Sequence, residues 1–256
     1  MPPLPPDRAA SEPDAGLSVQ PSAVIAVIPA RGGSKRIPRK NIRPFHGRPM
    51  LAWSIGAAKA SGLFGRIVVS TDDDEIAEIA REWGAEVPFA RPPELADDHT
   101  PTPAVVRHAI EALGGHVAYV CCLYPTAPMM QARYLREGLE TLTARPDKSF
   151  ALGVTSFAFP VQRAVRVGPD GGLEALYPQY RETRSQDLEP AYHDAGQFCW
   201  GRAEAWLRGD VIFSGRTLPV ILPRRLVQDI DTLEDWETAE RQFEIEADRS
   251  LAGAAP

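Results

Sequence analysis

Residues 26–41 read AVIPARGGSKRIPRKN. They continue an apolar run that starts at Ala23, and they end in a loop with Gly32, Gly33 and five cations: Arg31, Lys35, Arg36, Arg39 and Lys40. Residues 24–28 are apolar and mostly β-branched, which suits a strand buried on both faces. The loop leaving that strand has two readings. Adjacent glycines let backbone N–H groups approach phosphate oxygens closely, and Arg31 and Lys40 could then neutralise a triphosphate. The same loop could instead be a solvated basic surface. It is not a Walker loop, because no Gly-Lys-Ser/Thr closes it, and it lacks the later glycines of the dinucleotide fingerprint.

Outward from this strand, strand and helix patterns alternate. Residues 49–61 have helical spacing, with Met50, Trp53 and Ala57 along one side. Residues 66–70 (RIVVS) read as a strand. Residues 73–83 read as an amphipathic helix with Ile76, Ile79, Ala80 and Trp83 inward. Its acidic start suits the helix dipole, and Gly84 is placed to stop it. A helix over 103–113, a strand over 119–123, a helix over 131–142 and a strand over 149–155 follow. Residues 161–200 differ: short strand-like pieces with Gly, Pro and aromatic residues between them. A last helix is expected over 233–246, with Trp236, Ala239 and Phe243 inward. The pattern predicts an α/β fold with a doubly wound, mostly parallel sheet. Ligands bind such sheets outside the carboxyl ends of the strands. The loops after Ile28, Ser70 and Leu123, and the region of residues 229–231, are therefore the places for a site.

Composition narrows the function. The 256 residues suit a single α/β domain able to bury a proper core. A net charge of −6 argues against a nucleic-acid partner, so the cations of residues 31–40 are a local feature suited to a small anion. Cys121, Cys122 and Cys199 fit neither a disulfide framework nor a zinc motif and read as core thiols of a cytoplasmic protein. No apolar run is long enough to cross a bilayer, and the N-terminus lacks the apolar region of a secretory signal. Residues 1–20 and 247–256 are expected to be disordered, with residues 21–246 as the domain.

Several polar clusters carry alternatives. In Asp229-Ile230-Asp231-Thr232, residues two apart in an extended segment share a face, so both carboxylates could reach one Mg²⁺, a cation that takes oxygen ligands. Asp231 or Thr232 could equally cap the last helix. The run Asp72-Asp73-Asp74-Glu75 suits a helix N-terminus better than a metal site. The Asp97-Asp98-His99 run reads as a loop-shaping element rather than a ligand set. His193 beside Asp194 is either an acid–base pair or a structural histidine. Trp53, Trp83, Trp206 and Trp236 read as core.

Taken together, Pro29-Ala30-Arg31-Gly32-Gly33-Ser34-Lys35 with Arg39-Lys40-Asn41 resembles the start of the sialic-acid-type cytidylyltransferases. The resemblance runs over residues 23–246. It continues through Ser70-Thr71-Asp72-Asp73, Leu95-Ala96-Asp97-Asp98-His99-Thr100, Tyr124-Pro125-Thr126-Ala127-Pro128 and Gln228-Asp229-Ile230-Asp231-Thr232. Residues 183–189 and 192–198 look most like the pseudaminic acid branch, and Tyr124 stands where sialic acid enzymes usually carry Gln. The resemblance implies a nucleotide-diphospho-sugar transferase-like fold with a protruding arm over about residues 157–200 that joins a homodimer. It implies transfer of CMP from CTP to a nonulosonic acid. Ala30, Arg31, Gly32, Gly33, Ser34, Lys40, Asn41 and Asp98 would lie at the nucleotide. Asp229 and Asp231 would hold Mg²⁺ (or Mn²⁺), and with Arg31 and Lys40 they would form the catalytic set. Tyr124, Gln162, Arg163, Arg184, Tyr192, His193, Asp194, Gln197 and Phe198 would meet the sugar, with Arg163 and Arg184 as candidates for its carboxylate. The alternatives are activation of another acid (N-acetylneuraminic, legionaminic or 3-deoxy-octulosonic) and a non-catalytic nucleotide-binding regulator.

Overall fold

The computed structural model describes residues 19–252. The chain enters through β1 (Val24–Pro29), a short hairpin of β2 (Pro44–Phe45) and β3 (Arg48–Pro49), and α1 (Met50–Ser61). It continues through β4 (Arg66–Ser70), α2 (Asp74–Glu82), α3 (Thr102–Ala112), β5 (Tyr119–Leu123), α4 (Ala132–Thr143) and β6 (Phe150–Ser156). A second hairpin, β7 (Val165–Val167) and β8 (Leu173–Ala175), precedes β9 (Tyr192–Arg202), α5 (Ala203–Arg208), β10 (Thr217–Ile221) and α6 (Leu233–Ala252). The expected helices and strands agree with these bounds to within two residues, except at the end of α6. Gly84, at φ +86°, follows α2 as expected.

The central sheet has the order β10-β6-β9-β5-β1-β4. The pairs β1–β4, β1–β5 and β10–β6 are parallel. The exception is β9, antiparallel to both β5 and β6. Its direction follows from the route of the chain. Leaving the carboxyl end of β6, the chain makes its excursion over residues 157–191 and re-enters at the same edge, so β9 must run backwards. A bulge shifts the β6–β9 register between Leu152 and Val154. Gly196 supplies the left-handed turn it needs (φ +62°), and the Asp194 carboxylate accepts the Gly196 N–H at 2.8 Å.

Apolar clusters fill both faces of the sheet, which is the doubly wound arrangement. Ile28, Val69 and Phe198 pack with Ile55, Ile76 and Leu139 of α1, α2 and α4. Ile25, Val120 and Phe150 pack with Val106 and Ile110 of α3 and Trp206 of α5. Trp206 and Trp236 are buried, whereas Trp53 and Trp83 are only partly so, with the Arg48 guanidinium 4.8 Å and 5.7 Å from their ring centres. All three thiols are buried and free.

Residues 1–18 and 253–256, within the segments expected to be disordered, lie outside the described residues. Residues 247–252 correct that expectation: they extend α6. Ala247, Arg249, Leu251 and Ala252 are good helix formers, and Arg249 bonds Glu246 one turn back at 2.9 Å. Among the described residues, no helix is long and apolar enough to cross a membrane.

Candidate active site

A cleft of about 230 Å³ opens at the carboxyl ends of β1, β4 and β5. The loop after β1 forms one wall. Ala30 is fully buried and donates its N–H to Ser70 O at 2.9 Å. The Gly32 N–H bonds the Asp72 carboxylate at 3.0 Å, and a Cβ on Gly32 would stand 2.6 Å from Asp73 Oδ2. Glycine is therefore required there by close approach, while Gly33 faces open space. Ser34 lines the cleft. Asn41 is buried and donates to Arg31 O at 2.9 Å, so it holds the loop's shape from behind.

The loop cations are not simply solvated; each meets a carboxylate from a distant segment. Arg31 bonds Asp98 at 2.6 Å, and Lys35 pairs with the same carboxylate. Lys35 and then Arg31 push the Asp98 carboxyl down to about 2. Arg36 meets Asp231 at 2.9 Å. Lys40 donates to Ile230 O at 2.7 Å and lies 3.5 Å from Asp231 Oδ1. Arg39 pairs with Asp73 and Glu75 at the start of α2. Asp97 shapes its loop, accepting the N–H of His99 and of Thr100 at 3.0 and 2.6 Å.

Arg36 and Lys40 line this cleft and meet Asp231, so the pair Asp229 and Asp231 adjoins the cleft without lining it. Ile230 between them is fully buried against Trp236 and Phe45, so the alternation expected of an extended segment is present. The cap and the carboxylate pair coexist. Thr232 Oγ1 accepts the Asp235 N–H at 3.2 Å, and Asp235 in turn accepts the Thr232 N–H at 2.8 Å, a reciprocal box at the start of α6. Burial first, and Asp231 second, push the Asp229 carboxyl up. Its side chain accepts no hydrogen bond from the described residues. No group of three or more metal-binding side chains occurs among the described residues. Two carboxylates crowding each other, one without a donor, nevertheless fit a hard cation that takes its remaining ligands from phosphates and water.

Sequence reasoning missed Arg91. It lines the cleft although only 5% of it is exposed. Its guanidinium donates to Ser70 O and, at 3.2 Å, to Ser70 Oγ, and among the described residues no carboxylate hydrogen-bonds it. Burial first pushes Arg91 down to about 10, the Asp72 charge opposes that, and repulsion by Arg31, which lines the same cleft, adds to it. Nothing in Ala90-Arg91-Pro92 distinguishes this arginine from a surface one.

The expected sugar residues are divided. Tyr124, at the end of β5, lines the same cleft, and burial pushes its phenol well above the ordinary range. Its N–H bonds Gln197 O at 2.9 Å. Gln197 is buried and donates to Leu226 O, leaving its Oε1 with no donor among the described residues. Burial, then Asp229, pushes the Asp194 carboxyl up. Gln162 and Tyr192 line a second cavity of about 910 Å³ between the arm and the body. Arg163 and Arg184 are held within the arm, on Thr183 O at 2.6 Å and Asp187 at 2.7 Å. His193 contacts the Asp194 carbonyl at 2.8 Å and packs on Phe157, the structural alternative. Phe198 corrects the expectation: it is fully buried in the core, its ring packed towards Gly153 and Gly138. A central strand covered on both faces has no exposed side on which to present it.

A family model described as cytidylyltransferase matches residues 25–169. Pseudaminic acid cytidylyltransferase of Campylobacter jejuni is 43% identical over 224 residues, covering 86% of this chain and 96% of that protein. The CMP-N,N'-diacetyllegionaminic acid synthase of Legionella pneumophila is 32% identical, covering 87% of this chain and 97% of that protein. Among solved structures, CMP:2-keto-3-deoxy-manno-octonic acid synthetase complexed with CTP superposes with a TM-score of 0.66 at 18% identity, covering 88% of this chain and all of that one. That likeness shows a nucleotide-diphospho-sugar transferase-like fold. The chain belongs to the cytidylyltransferase family.

Proposed function

We propose that this cytidylyltransferase transfers CMP from CTP to the anomeric hydroxyl of pseudaminic acid and releases pyrophosphate. The observation that carries the choice of acid is the 43% identity extending over 86% of the chain. The cleft supports the chemistry. Arg31, Lys40 and the buried Arg91 line one cleft, and Asp231 adjoins it 3.5 Å from Lys40.

The anomeric oxygen attacks the α-phosphorus in line. The new P–O bond forms as the bond to the bridging oxygen breaks, and pyrophosphate leaves with that electron pair. The attacking hydroxyl loses its proton to Asp229 or Asp231. No covalent intermediate with the protein is needed, so positioning and charge neutralisation do the work. Arg31, Lys40 and Arg91 take up the charge growing on pyrophosphate, and Ser34 and the Gly32-Gly33 backbone border the phosphates. Asp229 and Asp231 would hold Mg²⁺ (or Mn²⁺), which when bound neutralises phosphate charge. Tyr124, Asp194 and Gln197 would meet the acid. Asp98 would release Arg31 to the phosphates.

The arm is proposed to meet a second copy of the chain. Val165, Val167 and Leu173 on its hairpin are more than half exposed, a poor state for an isolated apolar hairpin. A solution mass showing only 28.0 kDa species would overturn the dimer. The substrate is tested by a panel of pseudaminic, legionaminic, N-acetylneuraminic and 3-deoxy-octulosonic acids with CTP and the other nucleoside triphosphates. Pseudaminic acid with CTP should give the highest kcat/KM. No product from that pair, with turnover of another acid, would refute the assignment.

A further inference from the structure

We propose that the acidic turn opening α2 anchors the triphosphate loop, and that Arg39 is the positioning residue through which it does so. The inference rests on the CTP reading above and not on the choice of sugar acid. Arg39 does not line the cleft. It stands at φ +56°, a left-handed conformation that a residue with a Cβ rarely adopts. Its backbone nevertheless organises the loop, since Arg39 O accepts the N–H groups of Ile42 at 3.0 Å and Arg43 at 2.9 Å, directly after Lys40 and Asn41. The side chain reaches away from the cleft and spans two carboxylates. It bonds both oxygens of Asp73, one of them at 2.9 Å, and it also pairs with Glu75. A planar guanidinium can hold one carboxylate through both oxygens while it reaches a second acid, a fixed geometry that an ammonium lacks.

The acids it grips are themselves fixed. Asp73 caps α2, accepting the Ile76 N–H at 3.0 Å, and its own N–H bonds Thr71 Oγ1 at 3.2 Å. The hydrogen bond from Arg39 is the main cause that holds the Asp73 carboxyl below its usual range. The same turn fixes the loop at a second point seven residues earlier in sequence, where Asp72 accepts the Gly32 N–H and Asp73 closes over the Gly32 Cα. Arg31 precedes the first anchor and Lys40 follows the second. The acidic turn therefore sets the spacing between the two cations meant for the phosphates. This accounts for an arginine in the left-handed region, and for Asp72, Asp73 and Glu75 doing more than starting a helix.

The test is CTP affinity, measured by calorimetric titration so that no sugar acid is needed, together with CTP KM, kcat and thermal unfolding. Arg39→Ala should weaken CTP about tenfold or more. Arg39→Gly, which removes the grip but tolerates the left-handed backbone, should weaken it less. The double variant Asp73→Asn/Glu75→Gln decides the role, because asparagine still caps the helix. If Arg39 is positioned by these acids, releasing it should weaken CTP several-fold even though two negative charges beside an anion site have been removed. Tighter CTP binding by that double variant would overturn the inference, because it would make Arg39 a phosphate ligand restrained by acids. Unchanged CTP affinity in Arg39→Ala would also overturn it, as would losses in melting temperature and kcat with no change in CTP KM. If the wild type binds CTP but makes no product from pseudaminic acid, the substrate assignment fails while this test still reads.

Discussion

Replacing Arg91 with methionine separates a functional from a structural arginine. Burial, opposed by Asp72 and aided by Arg31, lowers Arg91 to about 10, a net loss of about 3 kcal/mol of charge stabilisation. Against it stand two hydrogen bonds to Ser70, each worth about 1.5–3 kcal/mol when a charged donor is involved. The difference leaves a net stabilisation of about 0–3 kcal/mol. Ser70 O also keeps the Ala30 N–H when the guanidinium is gone. Arg91→Met should therefore lower folding stability by no more than about 3 kcal/mol, or about six degrees in melting temperature for a chain of this size. Binding is another matter. A guanidinium about 4 Å from a phosphate charge contributes up to about 4 kcal/mol at an effective dielectric constant near 20, so CTP affinity should fall by about 100-fold or more. The assay is thermal unfolding with and without CTP, paired with pyrophosphate release against CTP concentration. The variant should melt within about six degrees of the wild type without CTP and lose most of the rise that CTP confers. A fall of ten degrees without ligand, with CTP KM unchanged, would refute the reasoning and make Arg91 a brace for Ser70.

Asp231→Asn should cut pyrophosphate release at saturating substrates by about 100-fold or more, and a rate equal to the wild type would rule out its place in the metal pair. Burial pushes the Cys122 thiol up to about 12, so the reactive thiolate is essentially absent at pH 8 and forms only as pH rises towards that value. Native protein at pH 8 should resist iodoacetamide at Cys121, Cys122 and Cys199, and unfolded protein should label at all three by mass; rapid native labelling contradicts their burial. A Cβ on Gly138 would lie 2.5 Å from Trp200 Cδ1, whose indole N–H donates to Leu135 O at 3.0 Å. Gly138→Ala should accordingly lower stability by about 1–3 kcal/mol in urea unfolding, and an unchanged midpoint would mean that the α4–β9 packing differs from that described.

Much of the fold was legible because the decisive signals were local. The buried run of residues 24–28, the RIVVS strand and the acid-led helix after it each announce their own dihedral preferences. The carboxyl-end rule then located the site without any knowledge of partners. What sequence could not supply was the direction of β9, which depends on where the arm returns the chain, and the burial of Phe198, which depends on β9 being central. Arg163 and Arg184 show the same limit. Either guanidinium could reach a substrate carboxylate, yet the arm folds so that each finds a partner within it.

By itself the sequence determined the cationic loop at the end of the first strand, the backbone freedom that adjacent glycines give it, and a carboxylate pair sharing one face of an extended segment. All three follow from spacing and backbone geometry over a few residues. Only the tertiary structure decided which charge meets which. Lys40 and Asp231 are 191 residues apart, Arg31 and Asp98 are 67 apart, and Gly32 and Asp72 are 40 apart. Electrostatic pairing falls off with distance in space, and distance in space is set by sheet order, which places β4 and β5 on either side of β1. Arg91 is the clearest instance: an ordinary arginine in the sequence becomes a buried cation only because Ser70, twenty-one residues earlier, holds it at the mouth of the sheet.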